Sequence, residues 1–307
     1  MSTSSSLQPV FVGKSIHKQY KKGGFELSPL TLQINLGEIN GVVGENGNGK
    51  STLIKLIAGE EQATSGTLNY PLFDDSDWRK IKSGIAYIPQ RLYKWDGDVR
   101  DYLQFTASAK GIYGKENTIA VDSIIERLGL KEYEDYDWNE LSGGYQMRFE
   151  LARMLVWKPK LLLLDEPLAH LDINAQAIFL KDLADLSKDA VSPFGVIITS
   201  QHLYEVESIS KNVIFLKRGK PIYNGPINEF EKERKFNSFE LSSTMPSEEL
   251  LKILSGSGFE NIENKGNTII VHVDISVSSQ EFITGLFNAG LELKYFRNIS
   301  QSTRKLF

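Results

Sequence analysis

One segment of eight residues constrains the fold of this chain more than any other. It fits the pattern G-x-x-x-x-G-K-[ST] and reads Gly44, Glu45, Asn46, Gly47, Asn48, Gly49, Lys50, Ser51. A strand-like apolar run ends just before the segment, and a helix-like run that begins at Thr52 follows it. A chance glycine-rich turn, the alternative, does not explain these flanks.

The residue types of this segment suit a phosphate group. Glycines let the backbone wrap around the phosphate, so that successive N–H groups and the positive end of the following helix face it. Lys50 would neutralise the β and γ phosphate oxygens, and the Ser51 hydroxyl would ligate Mg²⁺. The segment is therefore predicted to be a phosphate-binding loop.

Length and composition indicate a globular chain of about two domains. The 307 residues include 35 Lys and Arg against 39 Asp and Glu, which gives a net charge of -4. This balance gives no general electrostatic reason to bind DNA or RNA, and no nucleic-acid partner is expected. Because the chain has no cysteine, disulfides, thiolate metal sites and cysteine nucleophiles are excluded.

Neither a secretory signal nor a membrane-spanning helix is predicted. Residues 1–8 are polar and rich in serine, without the basic start and apolar stretch of a signal peptide. Nowhere do 18 consecutive apolar residues occur, and the densest apolar segments have only strand length. We expect that any membrane partner is a separate chain.

Residues 9–228 are predicted to form one α/β unit. Strand-like runs with glycine-marked turns fill its first part, at 10–16, 31–34, 39–43 and 85–88. Helical periodicity then extends over 99–130 and ends at Gly129. Strand-like residues 161–164 and 195–199 lie on either side of an amphipathic stretch, 175–186, which is the alternation of a mostly parallel buried sheet.

A second, smaller domain is predicted after a charged connection at 229–235. Its pattern is strand, helix, two strands around a turn at 265–267, helix and strand. That order suggests a ferredoxin-like α+β sandwich. We therefore place the first domain at 1–230 and the second at 231–307. The first domain would contain a helical subdomain at about 91–157.

Two adjacent carboxylates, Asp165 and Glu166, follow the apolar run 161–164. At the carboxyl edge of a sheet they would point to opposite sides of the strand end. Asp165 suits the Mg²⁺ shell as a hard oxygen ligand, and Glu166 suits polarisation of the water that attacks a γ-phosphate. The alternative is a solvated acidic pair at a turn before Pro167.

The run Leu141-Ser142-Gly143-Gly144-Tyr145-Gln146 precedes an amphipathic helix. The phosphate loop, this LSGG signature and the segment LLLLDEP at 161–167, in that order and spacing, resemble the nucleotide-binding subunit of ABC ATPases over residues 9–228. The alternative for Ser142 is a helix N-cap with flexible glycines beside it. The resemblance implies an α/β P-loop NTPase fold of ABC type: a mixed or parallel sheet core, a β-rich N-terminal subdomain and a helical insert, followed here by the small α+β domain.

The resemblance also assigns roles to single residues. It implies that Tyr20 stacks on adenine; the alternative is a tyrosine on a strand edge. It implies that Asp172 contacts the other monomer, with a helix N-cap as the alternative. Gln90 would reach Mg²⁺ and the attacking water, and the alternative is a polar loop residue. His202 resembles the histidine that contacts the γ-phosphate and positions the water and Glu166, with a surface histidine as the alternative. Together these residues give the expected site: catalysis by Glu166, His202 and Gln90; Mg²⁺ ligation by Ser51, Gln90 and Asp165; and ATP binding by Tyr20, residues 44–51, Thr52, Ser142, Gly143, Gly144 and Asp172.

The function implied by the resemblance is that of an ATP-hydrolysing subunit of an ABC transporter. Two such subunits, identical or different, would close around ATP and Mg²⁺ and act on a separate transmembrane permease at the cytoplasmic face of the membrane. Tyr93, Trp95 and Val99 are apolar enough to contact that permease, with burial inside the helical subdomain as the alternative. A non-transport ABC ATPase that acts on ribosomes or another assembly is the second class.

Three residues depart from the family's usual pattern. Tyr145 stands where glutamine is common, Gln201 where a small hydroxyl residue often precedes the histidine, and His170 where Ser, Ala, Gly or Asn are also found.

Overall fold

The computed structural model divides the chain into two compact units, Met1–Ile227 and Asn228–Phe307. It describes residues 8–21, 24–73, 77–232, 236–256, 259, 261–264 and 268–298. The predicted turn at 265–267 lies outside these residues. No helix within the described ranges is long and apolar enough to cross a bilayer.

In its described residues, the first unit contains nine strands in two sheets. They are β1 (Pro9–Gln19), β2 (Glu26–Asn35), β3 (Ile39–Val43), β4 (Ser65–Asn69), β5 (Ile85–Ile88), β6 (Leu161–Leu164), β7 (Gly195–Ser200), β8 (Asn212–Lys217) and β9 (Lys220–Pro226). An antiparallel sheet has the order β2-β1-β4, and a six-stranded sheet has the order β5-β6-β7-β3-β8-β9. The second sheet is parallel except for β9, as its buried, continuously apolar strands predict.

Seven helices accompany these sheets in the described residues. They are α1 (Lys50–Ala58), α2 (Trp78–Ser83), α3 (Val99–Ala109), α4 (Gly114–Arg127), α5 (Gly143–Leu155), α6 (Ile173–Ser187) and α7 (Ile227–Lys232), which begins in the first unit and ends in the second. The helical periodicity predicted over 99–130 corresponds to two helices, α3 and α4, with a break between them. Gly111 lies in this break with φ of 90°. The helix ends there because a left-handed backbone cannot continue a right-handed helix. A charged connection was expected at 229–235, and the structure shows that its first residues belong to the helix α7.

The core of the first unit lies around α1. Leu53, Ile54 and Ile57 of this helix are fully buried and pack with side chains of both sheets. Residues that alternate along β6, Leu161 and Leu163, belong to the same core. The helix is thus fixed directly after β3, and the loop that joins the two lies at the carboxyl edge of the parallel sheet.

The part of the second unit that the structure describes contains four strands and two helices with their own core. They are β10 (Phe236–Ser243), α8 (Ser247–Gly256), β11 (Asn261–Asn264), β12 (Ile269–Asp274), α9 (Ser279–Asn288) and β13 (Leu293–Asn298). The sheet is antiparallel with the order β11-β12-β10-β13. Phe239, Leu250 and Phe282 lie in a core that belongs to this unit alone. The β-α-β-β-α-β sequence with this pairing is that of a ferredoxin-like sandwich.

Candidate functional site

The glycine-rich segment joins β3 to α1 and forms a loop that only glycines permit at two points. Gly47 and Gly49 have φ of 79° and 100°, a left-handed backbone that costs a residue with a side chain about 1–2 kcal/mol. A Cβ at Gly44 would lie 2.6 Å from the carbonyl oxygen of Leu216. Gly49 begins α1 without a side-chain cap, so the first N–H groups of the helix are left for a ligand.

Asn48 anchors this loop to the neighbouring strand connection. Its Oδ1 accepts a hydrogen bond from the backbone N–H of Arg218 at 2.7 Å, and the residue is buried. Gly44 is fixed in the same way, since its N–H donates to the carbonyl of Ser200 at 3.1 Å. The loop is therefore held in shape from both sides before any ligand binds.

Lys50 is buried and faces a carboxylate. Its Nζ lies 2.9 Å from Oε1 of Glu166, and the two side chains are only 3% and 6% exposed. The same Nζ donates to the carbonyl oxygens of Gly44 at 2.5 Å and Glu45 at 3.2 Å. A phosphate in the loop would offer Lys50 a competing set of anionic oxygens.

The acidic pair lies after β6, at the point where the neighbouring strand β7 also ends. Glu166 has φ of 50°, and its N–H donates to Oγ1 of Thr199 at 2.8 Å. That hydroxyl in turn donates to Oδ1 of Asp165 at 2.9 Å. One threonine of β7 thus fixes both members of the pair, which are 4% and 7% exposed.

Two amides converge on the other oxygen of Glu166. Nε2 of Gln90 donates to Oε2 at 3.1 Å, and Nε2 of Gln201 donates to the same atom at 2.9 Å. The structure therefore brings together Lys50, Gln90 and Glu166, which come from three separate segments of the sequence.

A cavity of about 470 Å³ opens beside these groups. It is lined by Tyr20, Phe25, Asn46, Gly47, Gly49, Lys50, Ser51, Thr52, Gln90 and Glu166. Tyr20 is 38% exposed, and its hydroxyl donates to Oε2 of Glu61 at 2.5 Å. Burial and this hydrogen bond raise the pKa of Tyr20 above its ordinary value. Two aromatic rings and a phosphate loop that line one cavity suit a nucleotide.

Ser51, Gln90 and Asp165, the residues expected to hold Mg²⁺, offer oxygen ligands. Ser51 and Gln90 line the cavity. The Nε2 atom of Gln90 is used on Glu166, which leaves its carbonyl oxygen as the ligand, and Asp165 keeps Oδ2 beyond the bond that Oδ1 receives. These donors fit Mg²⁺, which takes one or two carboxylates and completes its shell with phosphate and water.

The signature residues lie elsewhere on the first unit. Ser142 caps α5, with its Oγ accepting from the N–H of Tyr145 at 3.5 Å, and a Cβ on Gly144 would lie 2.8 Å from Cβ of Ala175. Asp172 caps α6 by accepting from two backbone N–H groups at 2.9 Å. Ser142, Gly143, Gly144 and Asp172 are not among the residues that line the cavity, and Ser142, Gly143 and Asp172 are exposed.

His202 follows Gln201 but is placed differently. Its N–H donates to Oγ of Ser200 at 2.8 Å, and its ring stacks on Tyr204 with centroids 5.2 Å apart. The contact with Glu166 that was expected of His202 is made in this structure by Gln201. The catalytic role of His202 stays a prediction.

Three residues of the site were not assigned a role from the sequence: Phe25, Thr199 and Gln201. For Thr199 and Gln201 a signal existed, because they come at the end of an apolar strand, as Asp165 and Glu166 do. Parallel neighbouring strands end at the same edge of a sheet. The contacts of Thr199 and Gln201 with the acidic pair therefore depend on β7 lying next to β6, which the structure shows.

Comparisons with known proteins agree with this geometry. The sequence profile of the family described as ABC transporter matches residues 27–169. The methionine import ATP-binding protein MetN of Halalkalibacterium halodurans is 30% identical over 235 residues, which cover 74% of this chain and 69% of that protein. MetN of Geobacillus kaustophilus is 31% identical over 204 residues, or 64% of this chain, and the match spans 59% of that protein's length.

A solved structure shows the same fold. CbiO1 of Clostridium perfringens, part of the ABC transporter complex cbiONQ, superposes with a TM-score of 0.66 and 26% identity. The match covers 74% of this chain and 92% of that one.

Proposed function

The chain belongs to the ABC transporter family, in which its relatives are the ATP-binding proteins, and we propose that it binds and hydrolyses ATP to drive transport by a separate membrane subunit. The predicted P-loop fold of ABC type is confirmed. The observation that carries the proposal is the convergence of Lys50, Gln90 and Glu166 at the wall of the cavity that the phosphate loop lines.

Nucleotide binding is assigned to this cavity. The uncapped N–H groups at the start of α1 and the glycine-rich backbone hold the phosphates, with Ser51 and Thr52 in the first turn. Lys50 exchanges its loop carbonyls and Glu166 for phosphate oxygens. The ring of Tyr20 lines the same cavity and is assigned to stacking on adenine.

Hydrolysis is assigned to Glu166 as the base that takes a proton from the attacking water. The release of Lys50 to the phosphates frees Oε1 for this purpose, while Oε2 stays held by the amides. Ser51, Gln90 and Asp165 would hold Mg²⁺, which would neutralise charge at the phosphates. His202 completes the site if its ring turns away from Tyr204.

The exposed signature supports association of two subunits, identical or different. Ser142 and Gly143 are exposed at the start of α5, and Asp172 is exposed at the start of α6. Helix N-termini with small residues are suited to a phosphate presented from outside. We assign them to the nucleotide that the second subunit holds, so that each chain supplies two half-sites.

The helical subdomain supports a contact with a membrane subunit. Tyr93 is 65% exposed and Phe105 is 62% exposed. Val99 is fully buried, and Trp95 stacks on Tyr102 at 4.4 Å, so both of these pack within the subdomain. The exposed ring of Tyr93, three residues after Gln90 in the sequence, would couple a membrane partner to the site, and such a partner implies a location at the cytoplasmic face.

The test of hydrolysis is Glu166→Gln. We expect ATP binding to persist and turnover to fall by about 100-fold to 10,000-fold, because the base is lost. A dimer should also accumulate with ATP. Glu126→Gln, on the exposed face of α4, is the matched control and should hydrolyse ATP like the wild type. Undiminished hydrolysis by Glu166→Gln would contradict the assignment of the base.

The test of the transporter role is recovery of partners by ATP-loaded Glu166→Gln from gently solubilised native cells. A polytopic membrane protein supports the proposal. Recovery of ribosomes or another assembly, without a membrane chain, would instead support the second class of ABC ATPase.

A further inference from the structure

Gln201 contacts the carboxylate of Glu166 at the oxygen that Gln90 also contacts. Nε2 of Gln201 lies 2.9 Å from Oε2 of Glu166, and Nε2 of Gln90 lies 3.1 Å from it. Glu166 is 7% exposed, so water contributes little to holding this carboxylate. The two amides and Lys50 are the groups that fix its direction.

The strand order explains why Gln201 reaches this position. β6 and β7 are parallel neighbours with Leu164 opposite Ile198, so the residues that follow them emerge side by side. Thr199, at the end of β7, fixes the main chain of Glu166 through the 2.8 Å hydrogen bond from its N–H. Gln201 then fixes the side chain of Glu166, so that one strand end controls both.

We propose that Gln201 is a positioning residue for hydrolysis, which acts by holding Oε2 of Glu166 while Oε1 receives the proton of the attacking water. This inference rests on the proposed function. When Lys50 leaves for the phosphates, Glu166 loses its ion pair, and Gln90 is also assigned to Mg²⁺. Gln201 is then the donor that is not also assigned to the nucleotide or Mg²⁺. It keeps the carboxylate of Glu166 oriented for proton transfer from the attacking water.

The variant Gln201→Met tests this role, because methionine keeps the length of the side chain and removes the amide donor. We expect kcat to fall by about 10-fold to 100-fold, since a base displaced by about 1 Å loses that much rate. KM and the dissociation constant for ATP should stay within about twofold, because the lost contact does not involve the nucleotide. Gln33→Met, on the exposed face of β2, is the matched control and should leave kcat, KM and the dissociation constant for ATP unchanged.

The same substitution in the Glu166→Gln variant distinguishes a positioning role of Gln201 from a general structural effect. In Glu166→Gln the base is already absent, so adding Gln201→Met should leave the residual single-turnover rate unchanged. An unchanged kcat in Gln201→Met alone, or an equal loss in both backgrounds, would overturn the proposal. Because ATP affinity and the thermal midpoint are measured on every variant, a general loss of folding is recognised.

The outcomes also distinguish this inference from the proposed function. Absence of hydrolysis in the wild type, or full hydrolysis in Glu166→Gln, contradicts the proposed function and the inference with it. Normal wild-type hydrolysis that needs Glu166 but is indifferent to Gln201→Met contradicts the inference alone.

Discussion

The buried pair of Lys50 and Glu166 connects the stability of the first unit with its chemistry. The two side chains are almost fully buried and lie 2.9 Å apart. Removing one member of such a pair leaves a charge in a site of low polarity, which is costly, whereas removing both can be neutral. In the proposed function, nucleotide binding breaks this pair as well, because Lys50 is assigned to the phosphates.

Lys50→Met should therefore destabilise the protein and weaken ATP binding together. We expect a loss of about 3–5 kcal/mol in the free energy of unfolding, because Glu166 is left as an unpaired buried carboxylate. Urea denaturation measures the first effect and calorimetric titration with ATP the second.

The double variant Lys50→Met with Glu166→Gln separates the two effects. It should recover most of the lost stability, since no buried charge is unpaired, but it should not recover ATP binding. Recovery of binding in the double variant would show that Lys50 does not contact the phosphates.

At the scale of single residues, the sequence predicts a candidate role where a motif surrounds the residue. Lys50 and Glu166 could be assigned because their neighbours in the chain define a loop and a strand end. Gln201 could not, because its contact depends on β7 lying next to β6, and a single sequence does not contain that order. Tyr145 departs from the family pattern, and nothing in the sequence indicated that its hydroxyl would lie 2.9 Å from that of Tyr133.

At the scale of elements, the first turns of α5 and α6 pack closely because one residue lacks a side chain. A Cβ on Gly144 would lie 2.8 Å from Cβ of Ala175, which is rigid, so the two helices would have to separate. Around Gly143 the nearest atoms are the carbonyl oxygen of His170 at 3.8 Å and a methyl group of Leu171 at 3.9 Å, which are ordinary contacts.

Gly144→Ala should therefore destabilise the first unit by about 1–3 kcal/mol through overpacking. Gly143→Ala should leave stability unchanged or raise it slightly, because alanine is the better helix former. Thermal unfolding of the two variants checks this, and equal midpoints would contradict the close packing of α5 on α6.

Asp172 has one role in the structure and a second role in the proposal, and two substitutions separate them. Asp172→Ala removes the cap of α6 and should cost about 1 kcal/mol, whereas Asp172→Asn keeps an oxygen acceptor and should keep the stability. If Asp172 also contacts a second subunit, Asp172→Asn should weaken the ATP-dependent dimer of Glu166→Gln. Sedimentation with ATP measures the dimer, and an unchanged dimer would leave the cap as the role of Asp172.

Elements with strong periodicity were predictable, and those defined by tertiary packing were not. The strands β3, β5, β6 and β7 and the helix α6 follow from continuous or amphipathic apolar patterns. The strand β4 carries no such pattern, because Ser65 and Thr67 are exposed and the strand exists through its pairing with β1. The break at Gly111 was hidden by helical periodicity on both sides.

At the scale of the whole molecule, the two units have separate hydrophobic cores. In the first, Phe11 packs against Tyr70 with ring centroids 5.1 Å apart. In the second, Phe239 stacks on Phe282 at 4.5 Å and lies 5.5 Å from Phe296. Since all residues assigned to ATP belong to the first unit, a ligand should stabilise that unit selectively.

Phe239→Ala and Phe11→Ala test this separation as a matched pair, since each removes a fully buried ring from one core. Each should cost about 3–5 kcal/mol, but in different units. We expect Phe239→Ala to lower an unfolding transition that ATP does not shift, and to leave the dissociation constant for ATP unchanged. Phe11→Ala should lower the transition that ATP raises. Calorimetric scans with and without ATP distinguish these cases, and a single transition that both substitutions lower equally would show that the two cores unfold as one cooperative unit.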